Sequence, residues 1–473
     1  MDAIAGIYSV KISLKQLDKA RDQLAVYLQK FRNRLKGKNR VYVAQTIRLL
    51  DSLLLYVRNL PTKPDTNHEG VVKLSDLLTG KGADQINLYK LSQYLQNSKL
   101  ARKVDGYTAF VDEQGISKEQ TSPVLSSCQN FFEALTYPGK EGQFFWVKDD
   151  QDVSLKYLLL DPTNHFREIV DDARSVILAG GTMSPMEDYI QHLFPYLDPG
   201  RIMTLSCGHV IPADNLIAVP LATTRLAVEL DFTFNRRNSP EIIDGLGETI
   251  IELASVIPDG VVIFFPSYAY LEQVLIRWKR TDKESQSVWA RLQVQKPVLH
   301  ESKSEGSVTE DILERYSSLI NSSTDTRGTI LLSVVGGKLS EGINFSDKLG
   351  RGVFIVGLPF PNIKSVEWQA KLGYIEQQTL ARGGSQSEGK AASRSYYENA
   401  CMRAVNQCIG RAIRHKNDYG AIFLLDRRYS TQRIQSKLPG WIQKGIVQDV
   451  EKLSFAQIKE RTKAFFDTKK DYM

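Results

Sequence analysis

Across residues 13–35 the apolar side chains Leu14, Leu17, Leu24, Leu28, Phe31 and Leu35 recur at intervals of about three and four, the spacing that gathers them on one face of a helix. Arg21 interrupts that stripe. After Lys36-Gly37-Lys38-Asn39, which reads as a turn, a second helical run carries Val43, Ile47, Leu50, Leu54 and Val57 until Pro61 and Pro64 stop it. The pattern predicts an antiparallel hairpin of two long helices joined by a short basic connection. Shorter helical segments, such as 87–95, follow between polar connections as far as about Gly142, with no strand alternation. Residues 1–150 therefore read as a helical module.

The pattern then changes. Tyr157-Leu158-Leu159-Leu160 and Ser175-Val176-Ile177-Leu178-Ala179 are short apolar runs separated by a helical stretch at 165–172, the grammar of a strand–helix–strand unit. Further runs at 260–265, 329–335, 352–356 and 421–425 have the continuous apolar character of strands buried on both faces. They predict that the C-terminal two thirds is an α/β fold with a mostly parallel sheet. The polar, Gly- and Ser-rich stretch 382–395 reads as a surface loop. In such sheets function gathers at the carboxyl ends of the strands.

With 42% hydrophobic and 24% charged residues over 473 positions, the chain has a globular composition and room for several cores. Its formal charge of +7 permits a polyanionic partner without demanding one. Lys30, Arg32, Arg34, Lys36, Lys38 and Arg40 crowd into the predicted turn, as a solvated helix end or as a contact for such a partner. Cys128, Cys207, Cys401 and Cys408 are scattered and form no Cys-x-x-Cys pair, so their spacing supplies no metal site. No apolar run approaches the ~20 residues of a membrane span, and the expectation is an intracellular protein without a membrane partner.

Candidate chemistry lies after two of the predicted strands and on one helix. Gly336-Gly337-Lys338 follows the 329–335 run, where a glycine pair lets backbone amides approach a phosphate. A helical segment over 397–415 contains Gln407, Gly410, Arg411 and Arg414, with the amide and two guanidiniums at spacings that share a face. Planar, permanently charged forks suit phosphoryl oxygens, whereas the plain alternative is a salt-bridged surface helix.

The order of these motifs resembles a known family. Val262-Ile263-Phe264-Phe265-Pro266-Ser267-Tyr268, then Gly337-Lys338-Leu339-Ser340-Glu341-Gly342-Ile343-Asn344-Phe345, then Gln407-x-x-Gly410-Arg411-x-x-Arg414 are similar to motifs IV, V and VI of the XPD-like superfamily-2 DNA helicases, and Gly180-Gly181-Thr182-Met183-Ser184-Pro185 to their motif III. The wording around Ser206-Cys207-Gly208-His209 and Ser333-Val334-Val335-Gly336-Gly337-Lys338 is similar to the chromosome-loss, or CHL, type linked to sister-chromatid cohesion. The resemblance implies a helical Arch-like module at 1–150, the remainder of a first motor domain at 151–213 and a RecA-like second helicase motor domain at 214–473. By it, Gln407, Gly410, Arg411 and Arg414 would act on the γ-phosphate of ATP with Mg²⁺, while Glu341, Gly342 and Asn344 would line the nucleotide cleft. Ser267, Tyr268, Gly337 and Lys338 would grip single-stranded or forked DNA, and Gly181, Thr182 and Ser184 would couple two motor domains. It further implies 5′-to-3′ movement, a nuclear location, and partners in cohesion and replication or repair.

Two parts that such a motor needs are not found in these residues. No Gly-x-x-x-x-Gly-Lys-Ser/Thr loop occurs; the nearest match, 384–391, ends in Ala391 and lacks the magnesium-binding hydroxyl. Asp112-Glu113 is followed by Gln and Gly, not by a DEAH-type continuation. The expectation is a C-terminal portion whose ATP site and iron–sulfur cluster depend on a missing first motor half. A non-catalytic nucleic-acid-binding module, and a helicase acting on RNA, are the alternatives. For Ser267, Glu341 and Asn344 ordinary helix capping is the competing role, and Asn344 stands where XPD itself tends to Asp.

Overall fold

The computed structural model describes residues 2–35, 37–60, 68–113, 124–149, 152–181, 183–206, 208, 211–281, 286–302, 308–322, 327–342, 345–411, 413 and 415–469. The chain divides into two compact units, the first comprising Met1–Val176, Tyr189–Leu197 and Asn362–Ser393 and the second Ile177–Asp188, Asp198–Pro361 and Arg394–Met473.

In the first unit Ser13 opens the long helix Leu14–Lys30. Its hydroxyl oxygen accepts the Gln16 amide at 3.2 Å, and the Gln16 side chain accepts the Ser13 amide at 2.9 Å, a reciprocal cap that fixes where the helix begins. The second long helix is Lys38–Arg58, and Leu17, Leu24, Val43, Leu50, Leu54 and Val57 share one core, as the apolar spacing predicts. Arg21, the interruption in the stripe, turns its guanidinium 3.1 Å from Asp51 of the partner helix.

The same unit contains a sheet that the pattern does not predict. Strands β1 (Val10–Ser13), β2 (Glu69–Val72), β3 (Gly142–Lys148) and β4 (Val153–Leu159) lie in the order β1-β4-β3-β2, every pair antiparallel. β1 and β2 bury one side chain each, Ile12 and Val72, so four residues give too little alternation to read. The apolar run beginning at Tyr157 thus belongs to this antiparallel sheet through β4, correcting its assignment to the parallel half. The run at 175–179 forms no strand; Ile177 is 86% exposed, and among the described residues nothing pairs with it.

Asn362–Ser393 also joins the first unit. Glu367, on the helix Val366–Ala381, meets Lys156 of β4 at 2.6 Å, and the Val366 amide donates to Glu69 of β2 at 3.0 Å. Most of the loop expected at 382–395 is helix, because Gln386–Ile409 starts there. The Ser385 hydroxyl oxygen accepts the Glu388 amide at 3.3 Å while the Glu388 carboxylate accepts the Ser385 amide at 2.7 Å; this capping pair starts the helix just after the glycines end the previous one.

The second unit is built on a six-stranded, wholly parallel sheet. Its strands β5 (Leu216–Leu221), β6 (Val261–Phe265), β7 (Val298–His300), β8 (Ile330–Val334), β9 (Gly352–Val356) and β10 (Gly420–Leu425) take the order β5-β10-β9-β6-β8-β7. Successive residues alternate between two cores: Val261, Ile263 and Phe265 enter one, and Val262 and Phe264 enter the other. Burial on both faces is why these strands read as unbroken apolar runs. β5 stands at an edge, which accommodates Pro220 without breaking the interior ladder.

Candidate functional site

Three adjacent strand ends build the first half of the site. β6 ends at Phe265, and Ser267 caps the helix Tyr268–Trp278 by accepting the Tyr270 amide at 3.2 Å. Tyr268 therefore leads the helix, and its hydroxyl donates to the Glu301 carboxylate at 2.5 Å. Glu301 follows β7, is 4% exposed, and was not singled out by sequence motifs. One of its oxygens also accepts the Leu339 amide at 3.2 Å, and the other accepts the Ser333 hydroxyl at 3.0 Å and the Val334 amide at 3.1 Å. A single buried carboxylate thus holds Tyr268, the end of β8 and the start of the short helix Lys338–Gly342.

The glycine pair between those elements is required by geometry. Gly336 has φ +69°, in the left-handed region, and a Cβ on Gly337 would stand 2.8 Å from both the Tyr268 hydroxyl and the Glu301 carboxylate. Close approach of the turn to Glu301 is therefore a reason for Gly337 in addition to the phosphate approach expected of it. Lys338 is exposed beside the turn. Glu341 and Gly342 continue the short helix, their side chains falling outside the description, and Asn344 lies outside the described residues altogether.

The arginine motif differs from its expected form. The helix carrying it ends at Ile409; the Gly410 amide still bonds Asn406 at 2.9 Å, but the Arg411 amide bonds Cys408 at 3.2 Å, tightening the chain into a turn. Gln407 is exposed on the last helical turn and Arg411 lies beyond it, so helical spacing does not put them on one face. Arg414 lies outside the described residues.

What the fold does bring together is the glycine turn and the arginine turn. The Phe345 amide donates to the Arg411 carbonyl at 3.0 Å. Cys408, buried on the same helix, has its thiol pushed up to about 12 by burial, against the opposing pull of the Arg411 charge and a hydrogen bond from the Gly336 backbone. Gly336, Phe345, Cys408 and the half-buried Arg411 therefore form one contact set, which couples the segment after β8 to the candidate nucleotide-contacting arginine.

A second clamp lies just beyond. Asp418, before β10, is buried and accepts the Arg351 guanidinium at 2.9 Å, while that guanidinium stacks 3.7 Å from the Tyr419 ring centroid. His415 meets Asp347 at 2.8 Å. Asp347, His415 and Asp418 have donor atoms close enough for a metal ion, yet Asp418 is already neutralised by Arg351. The chemistry is that of an ion-pair clasp tying 345–351 to 411–419. The sequence signal was slight: one charged residue immediately before β9 and another shortly before β10.

In the stretch expected to couple motor domains, Gly181 is exposed, Ser184 is half-buried and Thr182 lies outside the described residues. The buried residue there is Asp188, which accepts Asn399 at 2.8 Å and also the Arg403 guanidinium, both from the helix that leads to Arg411. The described cysteines do not fit an iron–sulfur cluster. Cys128 lies in one unit and Cys401 and Cys408 in the other; all three are buried, and burial raises each thiol pKa.

Comparison with known proteins accounts for this arrangement. Residues 250–445 match the family model described as "Helicase C-terminal domain". The protein named "ATP-dependent DNA helicase chl1" of Aspergillus clavatus is 54% identical over 461 residues, covering 95% of this chain and 62% of its own length. "ATP-dependent DNA helicase CHL1" of Debaryomyces hansenii is 41% identical over 469 residues, covering 99% of this chain and 56% of its own. A solved structure titled "XPD_Helicase" shares the fold with a TM-score of 0.50 at 18% identity, covering 92% of this chain and 64% of that one. The chain thus spans about half to three fifths of the length of these curated relatives. With its Arg411 turn bound to the segment after β8, the chain carries a match to the helicase C-terminal domain and is similar over almost its whole length to part of the proteins named CHL1.

Proposed function

We propose that this chain forms the Arch-like module and second motor domain of an ATP-dependent 5′-to-3′ DNA helicase working in the nucleus on cohesion and replication-linked repair. The observation that carries the reading is the joining of the glycine turn to the arginine turn through Phe345 and Cys408. That junction gives a route by which a group gripping DNA phosphate, Lys338, and a group facing ATP phosphate, Arg411, move as one. Bound ATP with Mg²⁺ would supply the phosphoryl group; Arg411, with Arg414 by resemblance, would stabilise charge on its terminal oxygens. Resemblance alone supports the direction of movement, the location and the cohesion role.

The ATP site is composite in this reading. Ile177, Met203 and Leu205 are 86%, 91% and 75% exposed, which supports reading the stretch that carries them as part of a first motor domain completed elsewhere in a longer protein. An iron–sulfur cluster would likewise be held outside it. DNA-stimulated ATP hydrolysis by the purified 473-residue chain is the test. No turnover is expected from the chain alone, with turnover restored in a longer protein that supplies the phosphate loop; sustained turnover by the chain alone would overturn the composite site.

A further inference from the structure

Between Asp22 and Asp51 the sequence holds no acidic residue, yet Lys30, Arg32, Arg34, Lys36, Lys38, Arg40 and Arg48 all fall there. The chain has 61 basic and 54 acidic residues, so the remainder balances at 54 of each, and the whole formal excess of charge is concentrated on this one segment. It comprises the turn between the two long helices, Leu14–Lys30 and Lys38–Arg58, and the helical residues that flank that turn on both sides.

The same two helices pair their charges elsewhere. Away from the turn Arg21 bonds Asp51 and Arg58 bonds Asp18, whereas Lys30, Arg32, Arg34, Lys38 and Arg40 are exposed and form no ion pair among the described residues. Helix Lys38–Arg58 begins here with no acidic residue in its first turn, so its positive end adds to the field. Like charges crowded this way repel one another unless a polyanion is bound. The aromatic residue of the turn is already used: Phe31 packs with its ring centroid 4.6 Å from Tyr27 and 5.3 Å from Tyr107. The turn therefore offers cations with no free stacking platform, the composition that reads phosphate without reading base.

We propose that this hairpin turn is a sequence-independent contact for the phosphate backbone of nucleic acid, carried on the first unit and additional to the strand-end motifs of the second. The choice of nucleic acid as the polyanion rests on the helicase reading. The test replaces Arg32, Arg34, Lys38 and Arg40 together with Gln in the full chain and measures affinity for a labelled DNA of about 30 nucleotides, single-stranded or duplex, against salt. Removing four phosphate contacts should lower affinity at least about tenfold near 0.1 M salt and make the logarithmic salt slope shallower by roughly three. Arg34→Gln alone, at an exposed position, should shift the slope by about one.

Unchanged affinity and slope in both variants, with Lys338→Ala still weakening binding, would overturn the hairpin contact and leave the DNA reading standing. If the parent chain binds no DNA, both fall. Loss of binding to an oligoglutamate peptide with DNA affinity intact would overturn it in favour of an acidic protein partner.

Discussion

Glu301 in the second unit and the hairpin turn in the first use charge in contrasting ways. At Glu301 one carboxylate is buried and receives four donors from Tyr268, Ser333, Val334 and Leu339, and the Arg351–Asp418 pair of the same unit is buried too. At the turn, cations stand exposed beside one another and form no ion pair among the described residues. Inside the second unit charge fixes the relative positions of the strand ends and the turns that follow them, because a buried group with every bond made is costly to displace. On the hairpin it is left for something that arrives from solvent.

Arg411→Ala should break that comparison most sharply. In a complete enzyme containing this sequence it is expected to reduce ATP turnover by about 10³-fold or more, with DNA affinity within about twofold of the parent, since the Phe345 amide bonds the Arg411 backbone carbonyl, which the substitution leaves in place. The hairpin variant should do the reverse and weaken DNA binding first. Equal loss of both activities in Arg411→Ala would favour a purely structural arginine.

Glu301→Ala is expected to cost about 3 kcal/mol in denaturant unfolding of the chain, because it strands four donors. It should also weaken DNA binding by releasing Tyr268 and the turn that bears Lys338. Glu301→Gln keeps the shape but turns an N–H₂ toward one pair of donors, so roughly half the stability loss is expected, with most of the DNA affinity retained. If the two variants lose DNA affinity without losing stability, Glu301 touches the ligand and does not merely position its neighbours.

These contrasts also explain what the sequence could reveal. The parallel strands were legible because Val261 to Phe265, and the runs like it, bury every residue by feeding two cores in turn. The antiparallel strands were not, since β1 and β2 each bury one side chain of four. Gly383-Gly384 suggested a loop that Ser385 and Glu388, three apart, convert into a helix start. Arg411 was singled out by its motif, but its escape from the helix was hidden, because the tightened bond to Cys408 is set by packing and not by spacing. Glu301 carried no signal at all beyond being an acid after a three-residue strand.

Burial of the thiols gives a pH-dependent version of the same comparison. Cys128 and Cys408 are each raised from 9.0 to about 12, one in each unit, chiefly by burial. A thiol whose folded value is raised stabilises the fold fully below its unfolded value, and that contribution is lost as pH climbs from about 9 toward 12. The denaturation midpoint of both units should therefore decline above pH ~9, and Cys408→Ser should flatten the decline in the second unit only. A midpoint independent of pH in that range would contradict the burial of these groups.

The smallest effect separates capping from ligand contact at Ser267. Its hydroxyl oxygen accepts the Tyr270 amide, so Ser267→Ala leaves a helix-start donor unpartnered and should cost about 1 kcal/mol. Ser267→Asn, which supplies another capping oxygen, should recover most of that loss. DNA affinity is expected to stay within about twofold in both, because the proposed phosphate contacts rest on the charge of Lys338 and the hairpin cations. A tenfold loss of DNA affinity in Ser267→Ala at unchanged stability would make the hydroxyl itself a phosphate contact. That result would add a neutral, precisely held contact to the exposed cations and narrow the difference between the two units.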